Sequence, residues 1–438
     1  MPNKNSKKRG GGRTSDNAAS VVQPRPRNDD DESVADNWST QSVASDDTSW
    51  PGSDPVTGDE AEDTTEQENF EDKFIECLDG TLQKSASARV TALQNIQRAL
   101  QKKYFADFLW DRKETVTDNV MRCLKKGKGN EQAAAAACLS LVALQLGPEA
   151  EGVFTSCQAY LTTLLADNAT SVAARGACAI SLSTMCFVCC NDYEVIRSVA
   201  KSLENIFSRG YGKGENSPSV SPDQSWLMSQ ALSAWCLLLT ITAAYDVNTH
   251  VENHLGPLQD LLRSSDVDLR MTAGEAVALL YELARDNDED FEDEENEAAL
   301  CDLLKQLATD SVKHRAKKDR RQQRSCFRDV QRFVVDAESP SETVKVGKEN
   351  LLELCSWSQK KQYDALCAVL MTGMSAHLKA NPLLRDIFDL GAPGLDEYSH
   401  TKALTKAQRT FINAAAFKRR TKLRAKHRDK RTVNVNGF

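Results

Sequence analysis

Thiols, imidazoles and two dense runs of Lys and Arg are the side chains with the type and spacing to do chemistry. Cys186, Cys189 and Cys190 fall within five positions, as half of a tetrahedral zinc site would, but no second pair stands at a suitable distance. Their neighbours Met185 and Phe187 mark a buried helix face, so the thiols read as core. His250 and His254 are four apart and would share one helix side, yet no motif places a third ligand beside them. They read as a partly exposed pair near a helix end. No Gly-rich phosphate loop with a following Lys is present, and there is hardly a strand pattern to carry one. These residues imply no enzyme, cofactor, metal or small-molecule substrate.

The basic runs carry more information. From Lys402 to Arg431 there are twelve Lys or Arg against one acid, Asp429, a net of +11; with −8 on the whole chain, −19 falls on the rest. A cationic end on an acidic body implies a polyanionic partner, most simply nucleic acid. The second run, 311–328, holds eight Lys or Arg and one acid. As a helix it sets Lys313, Lys317, Arg320, Arg321, Arg324 and Arg328 along one broad face, with Arg315 and Lys318 beside it, as a rod lying on a phosphate backbone requires. A charged helix facing only solvent would show the same spacing.

In the tail, Arg420, Lys422, Arg424, Lys426, Arg428 and Lys430 alternate with other residues, preceded by Lys418 and Arg419 and followed by Arg431. A strand would place every one of those alternating charges on one face. A helix turns about 200° for each step of two, so its charges spread all round. Between Leu395 and Asn436 there is no Gly or Pro, and Ala, Leu, Lys, Arg and Gln dominate, which favours the helix. A rod charged on every side suits a channel walled by phosphates better than one groove, and its self-repulsion predicts ordering on binding. The stretch 418–422 also has the composition of a nuclear import signal, and the two roles can coexist.

Positioning these runs falls to the remainder of the 438 residues. No run of about eighteen apolar residues suggests a membrane span, and the amino terminus has no apolar segment behind its basic residues to act as a secretory signal. Thirteen cysteines without framework spacing suit a reducing compartment. Residues 1–68 are rich in Ser, Asp, Glu, Gly, Asn and Pro, and predict a disordered tail. Within it, Ser45 before Asp46 and Asp47 has the make-up of a phosphoacceptor, as any acidic Ser-rich stretch does by chance.

From Phe70 the pattern is helical. Small-polar turns followed by helices with small inward residues recur at 86–92, 129–135, 169–176 and 265–273, with a less regular copy through Ser229, Leu232 and Trp235. Ala92, Ala135, Gly176, Leu232 and Ala273 lie 43, 41, 56 and 41 residues apart, the long interval holding a loop insertion at 209–218. That period is the period of armadillo or HEAT repeats. The fold class expected is all-α: an armadillo/HEAT-like α-solenoid over 69–308, a basic helix and linker over 309–345, a small carboxy-terminal helical module over 346–400 including 351–354, and a basic helical tail over 401–438. The module is too short to stand alone and is expected to pack on the end of the solenoid. The acidic stretch 286–297 reads as a solvated loop and helix start.

Several stretches resemble the interferon-related developmental regulators: KHRAKKDRRQQRSCFRDV at 313–330, the region of Trp357 and Tyr363, GMSAH at 373–377 through LRDIFDLG at 384–391, and NAAAFKRRTKLRAKHRDKR at 413–431. RCLKKGKG at 122–129 and AGEAVALLYELAR at 273–285 are similar as well. The resemblance implies a non-enzymatic regulator with an armadillo-type domain. It carries two functional expectations. One is a repressor of translation that binds ribosomes and rRNA, its tail occupying the mRNA path of inactive ribosomes and its 313–328 stripe anchoring the solenoid. The other is a nuclear transcriptional co-regulator, a scaffold for co-repressor proteins with the tail as import signal. Cytoplasmic and nuclear residence, no membrane and no small-molecule substrate go with both.

Overall fold

The computed structural model describes residues 60–212, 220–288, 290–293, 297–309, 317–346 and 350–392. In chain order the elements are α1 (Glu60–Gly80), α2 (Ala86–Lys102), α3 (Ala106–Trp110), α4 (Lys113–Lys126), α5 (Asn130–Leu146), α6 (Glu151–Ala166), α7 (Val172–Cys189), α8 (Tyr193–Phe207), α9 (Pro222–Leu239), α10 (Ala244–Leu262), α11 (Val267–Asn287), α12 (Glu297–Thr309) and α13 (Lys317–Asp336). A hairpin, β1 (Glu342–Val346) and β2 (Asn350–Leu354), leads to α14 (Trp357–Leu370), α15 (Met374–Ala380) and α16 (Pro382–Ile387).

The recurring turns work as helix starts. Ser85, Ser171, Ser221 and Asp266 each accept a hydrogen bond from the backbone N–H three residues on, capping α2, α7, α9 and α11. Four residues after three of these caps stand Arg89, Arg175 and Arg270. Arg89 donates to the Gln83 and Lys84 carbonyls and grips Glu131 of α5 with two nitrogens, at 2.6 and 2.8 Å. Arg175 is buried and donates to the Leu165 carbonyl at the end of α6. Arg270 is buried and reaches Gln323 of α13. The same sequence position therefore ties α2 to α5 and α11 to α13 across repeats, and α7 to its own partner α6 within one.

The helices pair as α1 with α2, α4 with α5, α6 with α7, α8 with α9, α10 with α11 and α12 with α13. The second member of each pair packs on the next, so α2, α5, α7, α9, α11 and α13 form one continuous layer. Ala92, Ala135, Gly176, Leu232 and Ala273, the residues that set the repeat period, all lie buried in that layer. All but Leu232 are small, and small residues allow the close approach: a Cβ on Gly176 would lie 2.5 Å from the Trp226 ring of α9, and one on Gly274, beside Ala273, would lie 2.8 Å from Phe327 of α13. The stretch Asn130–Ala166, through α5 and α6, and helix α7 are apolar and long enough to cross a membrane by composition alone, but both are mostly buried within the stack.

Three expectations change. The basic segment forms no separate linker helix; α13 packs on α11 and α12 as the last member of the layer, because Phe327, Val330 and Val334 give it a buried stripe. Residues 351–354 belong to a strand rather than a helix. Val344 pairs with Leu352, and Leu352 and Leu354 are buried on either side of exposed Glu353, a period of two too short to stand out in the sequence. The carboxy-terminal module is not stacked on the solenoid's end. Helix α14 lies along the shared layer, against α11, α9, α5 and α2, on the side away from the outer helices.

Polar hooks hold this strap. Glu282 of α11 accepts from the Trp357 and Ser358 backbone N–H groups at 2.6 and 2.8 Å, capping α14 from another element. Lys361 donates to Ser233 Oγ on α9 and Gln362 to Thr240 Oγ1 just past its end, while Gln101 of α2 donates to the Val369 carbonyl. His377 meets the Leu100 carbonyl at 3.0 Å, and Asn381 donates to the Leu144 carbonyl at 2.8 Å. Arg385 then gathers the carbonyls of Leu378, Leu390 and Gly391, closing the end of the strap.

Candidate nucleic-acid interface

Helix α13 has two faces with opposite jobs. Gln323, Phe327, Val330 and Val334 recur at spacings of three and four and are buried. Gln323 is fixed by Arg270 at 2.8 Å, and Arg285 of α11 donates to the Phe333 and Val334 carbonyls at 2.8 and 2.7 Å, satisfying acceptors of the last turn. Locked in this way, the helix turns the arc holding Arg320, Arg321, Arg324 and Arg328 away from the core.

Arg321 and Arg328 are exposed, and Arg320 and Arg324 are half-buried. Arg324 Nε donates to the Arg320 carbonyl, whereas Arg320 Nε is enclosed with no hydrogen-bond partner. At about 100° per residue these four side chains span an arc of roughly 100°. Most of the charge lies in the first half of α13, where the helix dipole is positive, so the side chains and the backbone present the same sign to an approaching anion. Acids flank the arc without occupying it. Burial raises the Asp268 carboxyl above its ordinary range, with Asp266 and Asp319 adding to the effect. Burial likewise raises Asp329, against the lowering influence of Arg332.

Lys317 and Lys318 belong to the first turn of α13. Lys313 and Arg315, and the tail residues Lys418, Arg419, Arg420, Lys422, Arg424, Lys426, Arg428, Lys430 and Arg431, lie outside the described residues, as does Ser45. The structure therefore assembles the second half of the expected stripe on a rigid seat.

The thiols at 186–190 are core: Cys186 and Cys189 are buried, Cys190 is half-buried, and all are free. A hydrogen bond with Cys186 brings Cys190 down to about 7, and the same contact, together with burial, pushes Cys186 well up. The histidine pair differs from its sequence reading. His254 is buried and His250 half-buried in the middle of α10, and Glu204 of α8 stands against both. Nothing in sequence links Glu204 to that pair, since the three residues meet only through helix packing.

Comparison with known proteins identifies the family. The interferon-related developmental regulator model matches residues 37–335, and the interferon-related protein conserved region model matches 381–432. Interferon-related developmental regulator 1 from Sus scrofa and from Homo sapiens are each 42% identical over 370 residues, covering 83% of this chain and 82% of theirs. Interferon-related developmental regulator 2 from Mus musculus is 43% identical over 383 residues, 86% of each chain. A designed armadillo repeat protein aligns with 57% of this chain and 98% of its own at 14% identity and a TM-score of 0.37, a likeness too loose to add to the helix pairing itself. The basic arc, the stacked helix pairs and the strap thus occur in a chain that belongs to the interferon-related developmental regulator family.

Proposed function

We propose that this protein is a non-enzymatic repressor of translation that binds ribosomes through rRNA, with the 401–431 tail inserted in the mRNA path and α13 anchoring the solenoid. The observation that carries the reading is the arc of exposed Arg321 and Arg328, with half-buried Arg320 and Arg324 between and beside them, on a helix whose opposite face is buried. A helix seated this firmly can present cations to a phosphate backbone without the ordering cost that a loop would meet. The acidic remainder of the chain disfavours broad contact with nucleic acid and restricts the approach to the basic elements. Scaffolding of co-repressors is the weaker reading, because the layer side on which a repeat protein would hold an extended partner is covered over α2, α5, α9 and α11 by the chain's own α14 and the turns beyond it.

Sedimentation through a sucrose gradient tests this. The intact protein is expected with ribosomal fractions at about 50 mM salt. If six to ten phosphates are neutralised, its affinity falls about a thousandfold or more by about 200 mM. Charge reversal across 418–431, or of Arg321, Arg324 and Arg328 together, should each move it toward light fractions. Residence of the intact protein in light fractions, with tail reversal altering only nuclear entry, would overturn the reading.

A further inference from the structure

Glu204 projects from α8 toward α10, where His250 and His254 stand one helical turn apart. Its Oε1 lies 3.4 Å from His254 Nε2 and 3.7 Å from His250 Nδ1, and one ligand-type atom from each of the three residues falls within 4.8 Å of the others. Two donors on one metal at about 2.1 Å sit roughly 3.0–3.5 Å apart in tetrahedral or octahedral geometry, so the two Glu–His separations are already near that range, while the cluster as a whole must draw in by about 1 Å.

The surroundings fix the ligands as a metal centre's outer contacts do. Tyr211 Oη lies 3.1 Å from His254 Nδ1. If Nδ1 donates there, the Nε2 lone pair faces the carboxylate, and the two acceptors call for a metal ion or a shared proton between them. Trp235 Nε1 donates to Glu204 Oε1 at 3.2 Å, and the indole packs against both imidazoles, with centroids 4.8 Å from His254 and 5.6 Å from His250. Lys201 Nζ holds Oε2 at 2.7 Å, but its side chain is 70% exposed and can swing into water. Arg197 bridges to Asp246 beside the cluster and already joins α8 to α10.

We propose that Glu204, His250 and His254 bind one divalent transition-metal ion of the zinc type, with water completing the coordination on the more open His250 side. Two imidazoles and a carboxylate select this class over calcium or magnesium, which prefer all-oxygen shells. The ion would clamp the α8–α9 pair to the α10–α11 pair at the point where the 209–218 insertion leaves the repeat. Its role is structural, since Trp235 and Phe207 hem in the imidazoles where a substrate would have to sit.

Zinc titrated calorimetrically into chelator-stripped full-length protein provides the test, with cobalt as a spectroscopic substitute. One equivalent should bind and raise the melting temperature. The cobalt spectrum should lack thiolate charge-transfer bands, which separates this site from the thirteen cysteines. His250→Ala and Glu204→Gln should each weaken binding about a hundredfold or more, and Tyr211→Phe about tenfold. His250→Ala is the safer variant for folding because His250 is the least buried of the three. Absence of binding at micromolar zinc, thiolate bands in the cobalt spectrum, or binding by His250→Ala and Glu204→Gln as tight as by the unaltered protein would each overturn the site. A stability that shifts with pH and not with zinc would overturn it as well, leaving the cluster as a shared proton.

Discussion

His377 illustrates how much a single residue decides here. It is fully enclosed between α15 and α2, and burial lowers its pKa to about 4 despite the backbone hydrogen bond at Leu100. The ordinary value is about 6.5, so the folded state binds fewer protons than the unfolded chain across that interval. Stability from this site is fully present above pH ~6.5 and is lost as the pH falls toward ~4, by a few kcal/mol. Denaturant titrations at several pH values should show this slope, and His377→Gln, which keeps a donor for the Leu100 carbonyl but does not titrate, should flatten it. Glu282 acts as a helix cap from outside the helix. Glu282→Gln leaves one of two backbone N–H groups poorly matched and should cost about 1–3 kcal/mol, measured by equilibrium unfolding.

For the elements, seating is what matters. On the proposed function, helix α13 can present its arginines to nucleic acid only while its apolar side stays on α11. Reversing Arg321, Arg324 and Arg328 should reduce the slope of log affinity against log salt by about 0.9 for each phosphate no longer neutralised, with no change in melting temperature. The strap depends on one close approach: a Cβ on Gly373 would collide with the Gln101 backbone carbonyl of α2, which cannot rotate away as a side chain would. Gly373→Ala should therefore destabilise by about 1–3 kcal/mol and raise amide exchange in α15 and the end of α2, while α13 stays protected.

At the scale of the molecule, the strap changes how a repeat stack behaves. A solenoid whose repeats touch only their neighbours unfolds in parts. Here Glu282, Ser233, Thr240, Gln101, Leu100 and Leu144 all hold one segment, so repeats far apart in sequence share a common tie. Ending the chain after residue 354 should lower the melting temperature by roughly 5–10 °C and increase amide exchange in α2, α9 and α11. Should exchange in those helices stay unchanged, the strap is a passive cover.

The sequence alone determined the repeat period, the helix starts and the basic character of α13, because each is a local signal: a cap, a small residue at a contact, a charge every three or four positions. The 43-, 41-, 56- and 41-residue intervals mark helices that do form one layer. Arg89, Arg175 and Arg270 share a sequence position four residues after their caps, although only Arg89 and Arg270 bridge repeats. Only the tertiary structure decided where residues 350–392 lie, that 350–354 is a strand, and that α13 belongs to the stack. The strap is held by side chains bonding to backbone carbonyls and lone hydroxyls, and such bonds leave no period in the chain. Glu204 meets His250 and His254 for the same reason: 46 and 50 residues separate them, and helix packing alone makes them neighbours.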